Sequence, residues 1–170
     1  MMAGITGTPG TGKSTVGRIL SARGYPVTEI ADTTGGYILE HDGERDTLVI
    51  DEERWAAEFP HLEGFVVGHL AHLLPCDLVV VLRCEPPVLE ERLRRRGYSD
   101  PKIRENCEAE ALDVILVETL EGHFAERVLE IDTTAIDPVT CADTIEQFAR
   151  GEIPPSFGSI DWSRYLGGYE

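Results

Sequence analysis

Lysine is almost absent from these 170 residues: Lys13 and Lys102 are the only two. Thirteen arginines bring the basic total to 15 against 31 acidic residues, for a formal net charge of −16. A field of that sign repels nucleic-acid phosphates and argues against direct contact with RNA or DNA. Two readings of the acidity stand. One is halophilic solvation in a salty cytoplasm, where the charge is screened within about 3 Å at 1 M salt. The other is an acidic face that docks a basic protein. Cysteine is sparse and scattered: Cys76, Cys84, Cys107 and Cys141 form no Cys-x-x-Cys pair and read as reduced, packed thiols of a cytoplasmic protein. No apolar run approaches the ~18 residues of a membrane span. The opening MMAGITGTPG lacks the basic-then-apolar pattern of a secretory signal, so none is expected. Internal repeats and low-complexity tracts are missing too.

What is present is a globular composition, 42% hydrophobic and 27% charged. A chain of this length buries roughly 70% of its unfolded surface and needs no disulfide or metal staple. Met2 to Thr6 forms a short apolar run, followed by a helical pattern in which Val16, Ile19 and Leu20 share a face and Gly24 is the stop. Tyr25-Pro26-Val27 begins a second extended segment, and Ile30 to Thr47 reads as a polar, aperiodic, exposed insert. Asp51 to Glu58 reads as a short helix, while Phe65-Val66-Val67 and Leu78 to Leu82 read as strands buried on both faces. The pattern further predicts a helix from Pro86 or Pro87 to Arg96, stopped by Gly97, and a second from Pro101 to about Leu120. A strand over Val128–Ile131 and a closing helix from Pro138 to Arg150 complete the series, and the tail is expected to be mobile or draped over the surface. Strands alternating with helices give an α/β, doubly wound parallel sheet.

Between the first strand and the first helix, Gly7 to Ser14 fits G-x-x-x-x-G-K-[ST] at every specified position. The glycines let the backbone curl into a nest of N–H groups, and the helix beginning near Lys13 adds its positive end. Lys13 can reach the outer phosphates of a nucleoside triphosphate, and Ser14 can ligate the magnesium that bridges them. A GTPase's base-reading Asn-Lys-x-Asp is missing, and a transporter or helicase core needs a longer chain. A small kinase with a water-excluding lid remains. Four arginines, Arg92, Arg94, Arg95 and Arg96, fall within five positions. Guanidinium groups suit the spread charge of a phosphoryl group in flight. A solvated helix face pairing with Glu85, Glu90 and Glu91 is the alternative. Arg92 and Arg95 could pair locally, and Arg96, beside the glycine break, is the better phosphate candidate.

With these parts placed, the sequence resembles the adenylate kinase isoenzyme-six family of eukaryotes and archaea. The residues that carry the likeness are ITGTPGTGKST, IDEER at 50–54, GHLAHLLP at 68–75 and VLRCEPPVLEERLRRRGYSDPKIREN at 81–106, with Glu108 and Glu110 following. The resemblance implies a P-loop nucleoside monophosphate kinase-like fold, a five-stranded parallel sheet flanked by helices. It implies adenylate kinase activity with ATP and magnesium, AMP or another monophosphate as acceptor, and ATPase activity. It also implies a role in small ribosomal subunit maturation and transient contact with a ribosomal protein of the uS11/S14 type; the alternative is an assembly ATPase that mainly binds and releases that protein, with little kinase activity. The expected layout is one kinase domain over 1–150, a monophosphate-binding insert near 29–50, a lid near 96–106, and a tail over 151–170.

The expected catalytic residues are Lys13, His69 and Arg96. Gly10, Gly12, Lys13, Ser14, Thr15 and Arg96 are expected to bind nucleotide, and Ser14 the metal. Two departures from the family pattern stand out. Its acidic strand end reads Asp-x-His, whereas here Val67-Gly68-His69 keeps only the histidine. Its insert arginine is replaced by Ala31-Asp32-Thr33-Thr34, which leaves Arg45 as the nearest cation for an acceptor phosphate. Asp51-Glu52 mimics a magnesium-positioning strand end but opens a helix. His69, His72 and Cys76 lack the fourth ligand of a zinc site, and His72 reads as a packed or surface histidine.

Overall fold

A computed structural model describes residues 1–43 and 47–167. Five parallel strands form the central sheet: β1 (Met2–Thr6), β2 (Val27–Glu29), β5 (Gly64–Val67), β6 (Leu78–Arg83) and β7 (Val128–Asp132). Their order is β2-β5-β1-β6-β7, so the strand that leads into the glycine-rich loop lies at the centre. Helices α1 (Lys13–Ala22), α2 (Glu52–Glu58), α3 (Pro86–Arg95), α4 (Asp100–Ala111), α5 (Val114–Gly122) and α6 (Pro138–Ala149) flank it. Among the described residues no helix is long and apolar enough to cross a membrane.

The two-residue period of a strand explains why the apolar runs are continuous: alternate residues feed two cores. Ile5, Phe65, Val67, Val80, Leu82 and Ile131 face α1 and α6, meeting Val16, Leu20, Ile145 and Phe148. Met2, Val66, Val79, Val81 and Val128 face the other way, against Trp55 of α2, Leu74 and Leu116 of α5. A third cluster joins Leu89 and Leu93 of α3 to Ile103 and Cys107 of α4. All four cysteines are buried free thiols. Strand ends, loop and α3 therefore converge on the carboxyl edge of the sheet, where α/β folds place ligands.

Two stretches differ from the sequence expectation. The helix expected from Pro101 to Leu120 is two helices, broken at Leu112 and Asp113. Asp113 takes a left-handed backbone, φ 56°, and its carboxylate pairs with Arg83. No glycine or proline marks that break; a buried cation across the fold does. Residues 30–47, expected to be irregular, hold two short 3-10 turns (Ile30–Thr33 and Gly35–Tyr37) and the first strand, β3 (Ile38–Asp42), of an antiparallel hairpin whose second strand, β4 (Thr47–Ile50), begins at the end of that span. The hairpin leaves Leu39 and Leu48 more than half open or nearly so, at 66% and 50% exposure, which is why no buried face showed in its sequence. Arg45 lies outside the described residues. The tail runs beside β7, where Glu130 N–H donates to Ser156 O at 2.8 Å and Ser156 N–H donates to Val128 O at 3.2 Å. Farther on, Arg164 and Tyr165 both reach Glu85 at the start of α3.

Candidate active site

Gly7, Gly10 and Gly12 carry φ values of 141°, 93° and 102°, which wind the loop so that successive N–H groups converge. At Gly7 a Cβ would lie 2.4 Å from Leu82 O, so neither the backbone angle nor the space admits a side chain. Lys13 is 8% exposed and its Nζ donates to Gly7 O at 2.7 Å and Thr8 O at 2.9 Å. Burial, then the charge of Arg96, pulls its pKa down to about 7, against the opposing pull of Glu110 and Glu29. An ammonium this starved of negative charge is a strong receptor for phosphate.

Three elements grip the loop from outside. From α4, Glu110 accepts the Thr8 hydroxyl at 2.6 Å. Beyond β7, Thr133 donates to Thr11 O at 2.8 Å. From α3, Arg92 donates to Gly10 O at 3.4 Å and Thr133 O at 2.8 Å. The local pairing expected of Arg92 and Arg95 splits. Arg95 pairs with Glu91 and Arg94 with Glu90, each four residues back. Arg92 has Val88 at that place and turns inward; Arg96 has Arg92 there and no acid to hold it. The arginine run is thus two pairs on the helix face, of which Arg95 also borders the site, and two cations, Arg92 and Arg96, with no acid four places back.

Between loop and α3 opens a cavity of about 400 Å³, bordered by Gly12, Thr15, Arg92, Arg96, Thr133 and Ile136. Pro138 and Val16 extend its apolar wall. The cavity therefore has a cationic mouth and a greasy side, the division a nucleotide needs. Of the residues expected from the sequence, Gly10, Gly12, Thr15 and Arg96 line this cavity, and Lys13 feels the charge of Arg96.

His69 follows the end of β5. Burial, Lys13 and His72 hold its pKa down to about 4, although the residue as a whole is exposed to solvent. The ring is therefore neutral through the physiological range and gains a proton only as pH falls through 4. Since kcat/KM reports ionisations of the free enzyme, His69 should contribute no acid limb between pH 5 and 8. A pH profile of wild type against His69→Gln checks this; an acid limb near pH 6 that the variant lacks would overturn it. His72 is packed: Nδ1 lies 2.9 Å from the Thr6 hydroxyl and Nε2 2.9 Å from Glu118, and burial lowers its pKa. Asp51 caps α2, accepting Arg54 N–H at 3.1 Å.

Sequence reading missed three groups. Thr133 and Glu110 clamp the loop, yet their roles depend on contacts more than 100 residues apart in the chain. Glu29, at the end of β2, faces Ser14 and Lys13.

A family model described as "AAA domain" matches residues 4–113, the span from β1 through the α4–α5 break. A curated protein of Archaeoglobus fulgidus named "Putative adenylate kinase" is 48% identical, covering 95% of this chain and 92% of its own length. One of the same name from Methanothermobacter thermautotrophicus is 44% identical, over 95% and 97%. The chain belongs to this family of archaeal proteins. Solved structures place the family's fold among P-loop kinases. A shikimate kinase from Acinetobacter baumannii matches at TM-score 0.59 and 20% identity, over 89% of this chain and 93% of that one. A deoxyadenosine kinase from M. mycoides matches at TM-score 0.59 and 15% identity, over 90% and 100%. The sheet order and the glycine-rich loop show the P-loop fold that these kinases share.

Proposed function

We propose that the protein transfers the γ-phosphoryl group of ATP to AMP. The observation that carries this reading is that Arg96 borders the loop-lined cavity and its charge reaches the buried Lys13 ammonium of the same loop. In the transfer, the bond from the γ-phosphorus to the β–γ bridging oxygen breaks and a bond to an AMP phosphate oxygen forms, leaving two ADP. The acceptor oxygen is already an anion, so no general base is required and catalysis reduces to position and charge. Lys13 and the loop N–H groups hold the donor, Arg96 meets the group in flight, and Arg92 fixes loop to α3. The apolar wall with Ile136 takes the donor base. Ser14 would hold magnesium, a hard cation suited to its hydroxyl, which would neutralise charge on the β- and γ-phosphates. The hairpin region 29–50 serves as monophosphate-binding insert and 96–106 as lid, within a domain spanning 1–150.

When water takes the acceptor's place, the same site hydrolyses ATP, and neutral His69 orients that water or the terminal phosphate. A second job, in small-subunit maturation in the cytoplasm, draws on the charge of −16, which would steer a basic ribosomal protein onto the surface by protein–protein contact. The test of the kinase reading separates the two fates of ATP. With AMP present, ADP should form well beyond the phosphate released. ADP matched by free phosphate, with no dependence on AMP, overturns the transfer reading and leaves hydrolysis.

A further inference from the structure

Magnesium-nucleotide sites of this fold class commonly pair the loop hydroxyl with a carboxylate at the end of a neighbouring strand. Here the strand beside β1 ends without one. β5 closes on Val67, which is fully buried and in register with Ile5, and Gly68 and His69 follow. The acid stands one strand farther out. Glu29 closes β2 and is the register partner of Val67, so the two side chains leave the sheet on the same face, towards α1. Both meet α1 at one spot. A Cβ on Gly17 would lie 3.3 Å from Val67 Cγ2 and 3.6 Å from Glu29 Oε1. Gly17 is one turn beyond Ser14 on the helix, and the absence of a side chain there lets Glu29 lie along α1 back to the Ser14 hydroxyl. Lys13 and Arg18 also act on this carboxylate, and Asp32 opposes its charge.

We propose that Glu29 is the carboxylate that positions the nucleotide's magnesium, acting from β2 beside the Ser14 hydroxyl. A glutamate suits the longer reach. Neighbouring strands are about 4.8 Å apart, and the extra methylene carries the carboxylate part of the way back. The donors are hard oxygens, which magnesium accepts while it keeps most of its waters. Glu29 is thus a positioning residue, acting through the ion and its water shell. The inference rests on the ATP-site reading above, and its test separates the two.

The test uses the intact protein with the imido analogue of ATP, which is not hydrolysed, and Mn²⁺ as a spectroscopic stand-in for magnesium. Electron paramagnetic resonance counts free Mn²⁺ during titration of the protein–analogue complex, and calorimetry gives analogue affinity in EDTA. In Glu29→Gln, Mn²⁺ binding should weaken roughly 10- to 100-fold. In EDTA the same variant should bind the analogue more tightly than wild type, because a negative charge beside the phosphates is gone. Glu29→Asp should fall between the two in Mn²⁺ affinity. A residue that only braces α1 would shift analogue affinity the same way with and without metal. That result, or unchanged Mn²⁺ affinity in Glu29→Gln, overturns the inference while leaving the ATP site intact. A wild type that binds no analogue under either condition overturns both.

Discussion

Replacing Lys13 by alanine should lower kcat for phosphoryl transfer roughly 10²- to 10³-fold, the loss typical of one preorganised charge aimed at a developing anion. Hydrolysis should fall in parallel, because Lys13 acts on the donor that both reactions share. Stability should barely change. The buried ammonium carries a desolvation cost, seen in its depressed pKa. Its removal also leaves Thr8 O with two other donors, Thr11 N at 3.2 Å and Thr11 Oγ1 at 2.8 Å. Only Gly7 O loses a partner, a change of about 1 kcal/mol. Lys13→Arg should not rescue the rate, since a planar fork cannot replace a point charge in so tight a turn. Steady-state ADP formation with and without AMP, beside a thermal melt, checks all of this. A variant that keeps most of its rate removes Lys13, and with it the loop, from the reaction.

How far the sequence reaches follows from how local each determinant is. The loop was legible because its glycines, lysine and serine act within eight residues, between an apolar strand and an amphipathic helix. Strands β1, β5 and β6 were legible because burial on both faces leaves a nearly continuous apolar run. The hairpin of β3 and β4 was not, since it stands off the core and alternates nothing for a core to select. The division of the arginine run could have been read: the residue four places back is an acid for Arg94 and Arg95 but not for Arg92 and Arg96. Glu29 and the α4–α5 break were beyond local reading. The first is defined by a register partner on another strand, the second by an ion pair between positions 30 residues apart.

That ion pair belongs to the buried network on which the largest loss of stability is expected. Arg83, at the end of β6, is 2% exposed and touches three carboxylates. Its Nε donates to Glu110 at 2.7 Å, and its other nitrogens reach Asp113, Glu130 and, at 2.9 Å, Glu110 O. Burial alone would lower the arginine's pKa; Glu110, Glu130 and Asp113 outweigh it and hold the value above the usual one. Burial raises Glu130 despite its partner. The arginine therefore keeps its charge. Arg83→Met should therefore cost about 3–5 kcal/mol at neutral pH, because Glu110 and Glu130 are left buried without a cation. Against a total stability of about 5–15 kcal/mol, that is a large fraction. The sign of the pH dependence follows. Burial already raises Glu130 against the pull of Arg83, and without Arg83 that rise grows, so the folded state binds more protons than the unfolded chain and the deficit shrinks as pH falls towards the acid range. Adding Glu130→Gln should recover part of the loss at neutral pH by removing one stranded charge. Molar salt should not repair it, since screening acts on exposed charges far more than on buried ones. The consequence reaches the site, because Glu110 also holds the Thr8 hydroxyl and the Cys84 N–H, tying the loop to α4 and β6. Urea unfolding of the single and double variants at neutral and mildly acidic pH, with ATP affinity measured beside it, reads each step. A deficit that does not depend on pH would show that Arg83 acts by filling space and not by its charge.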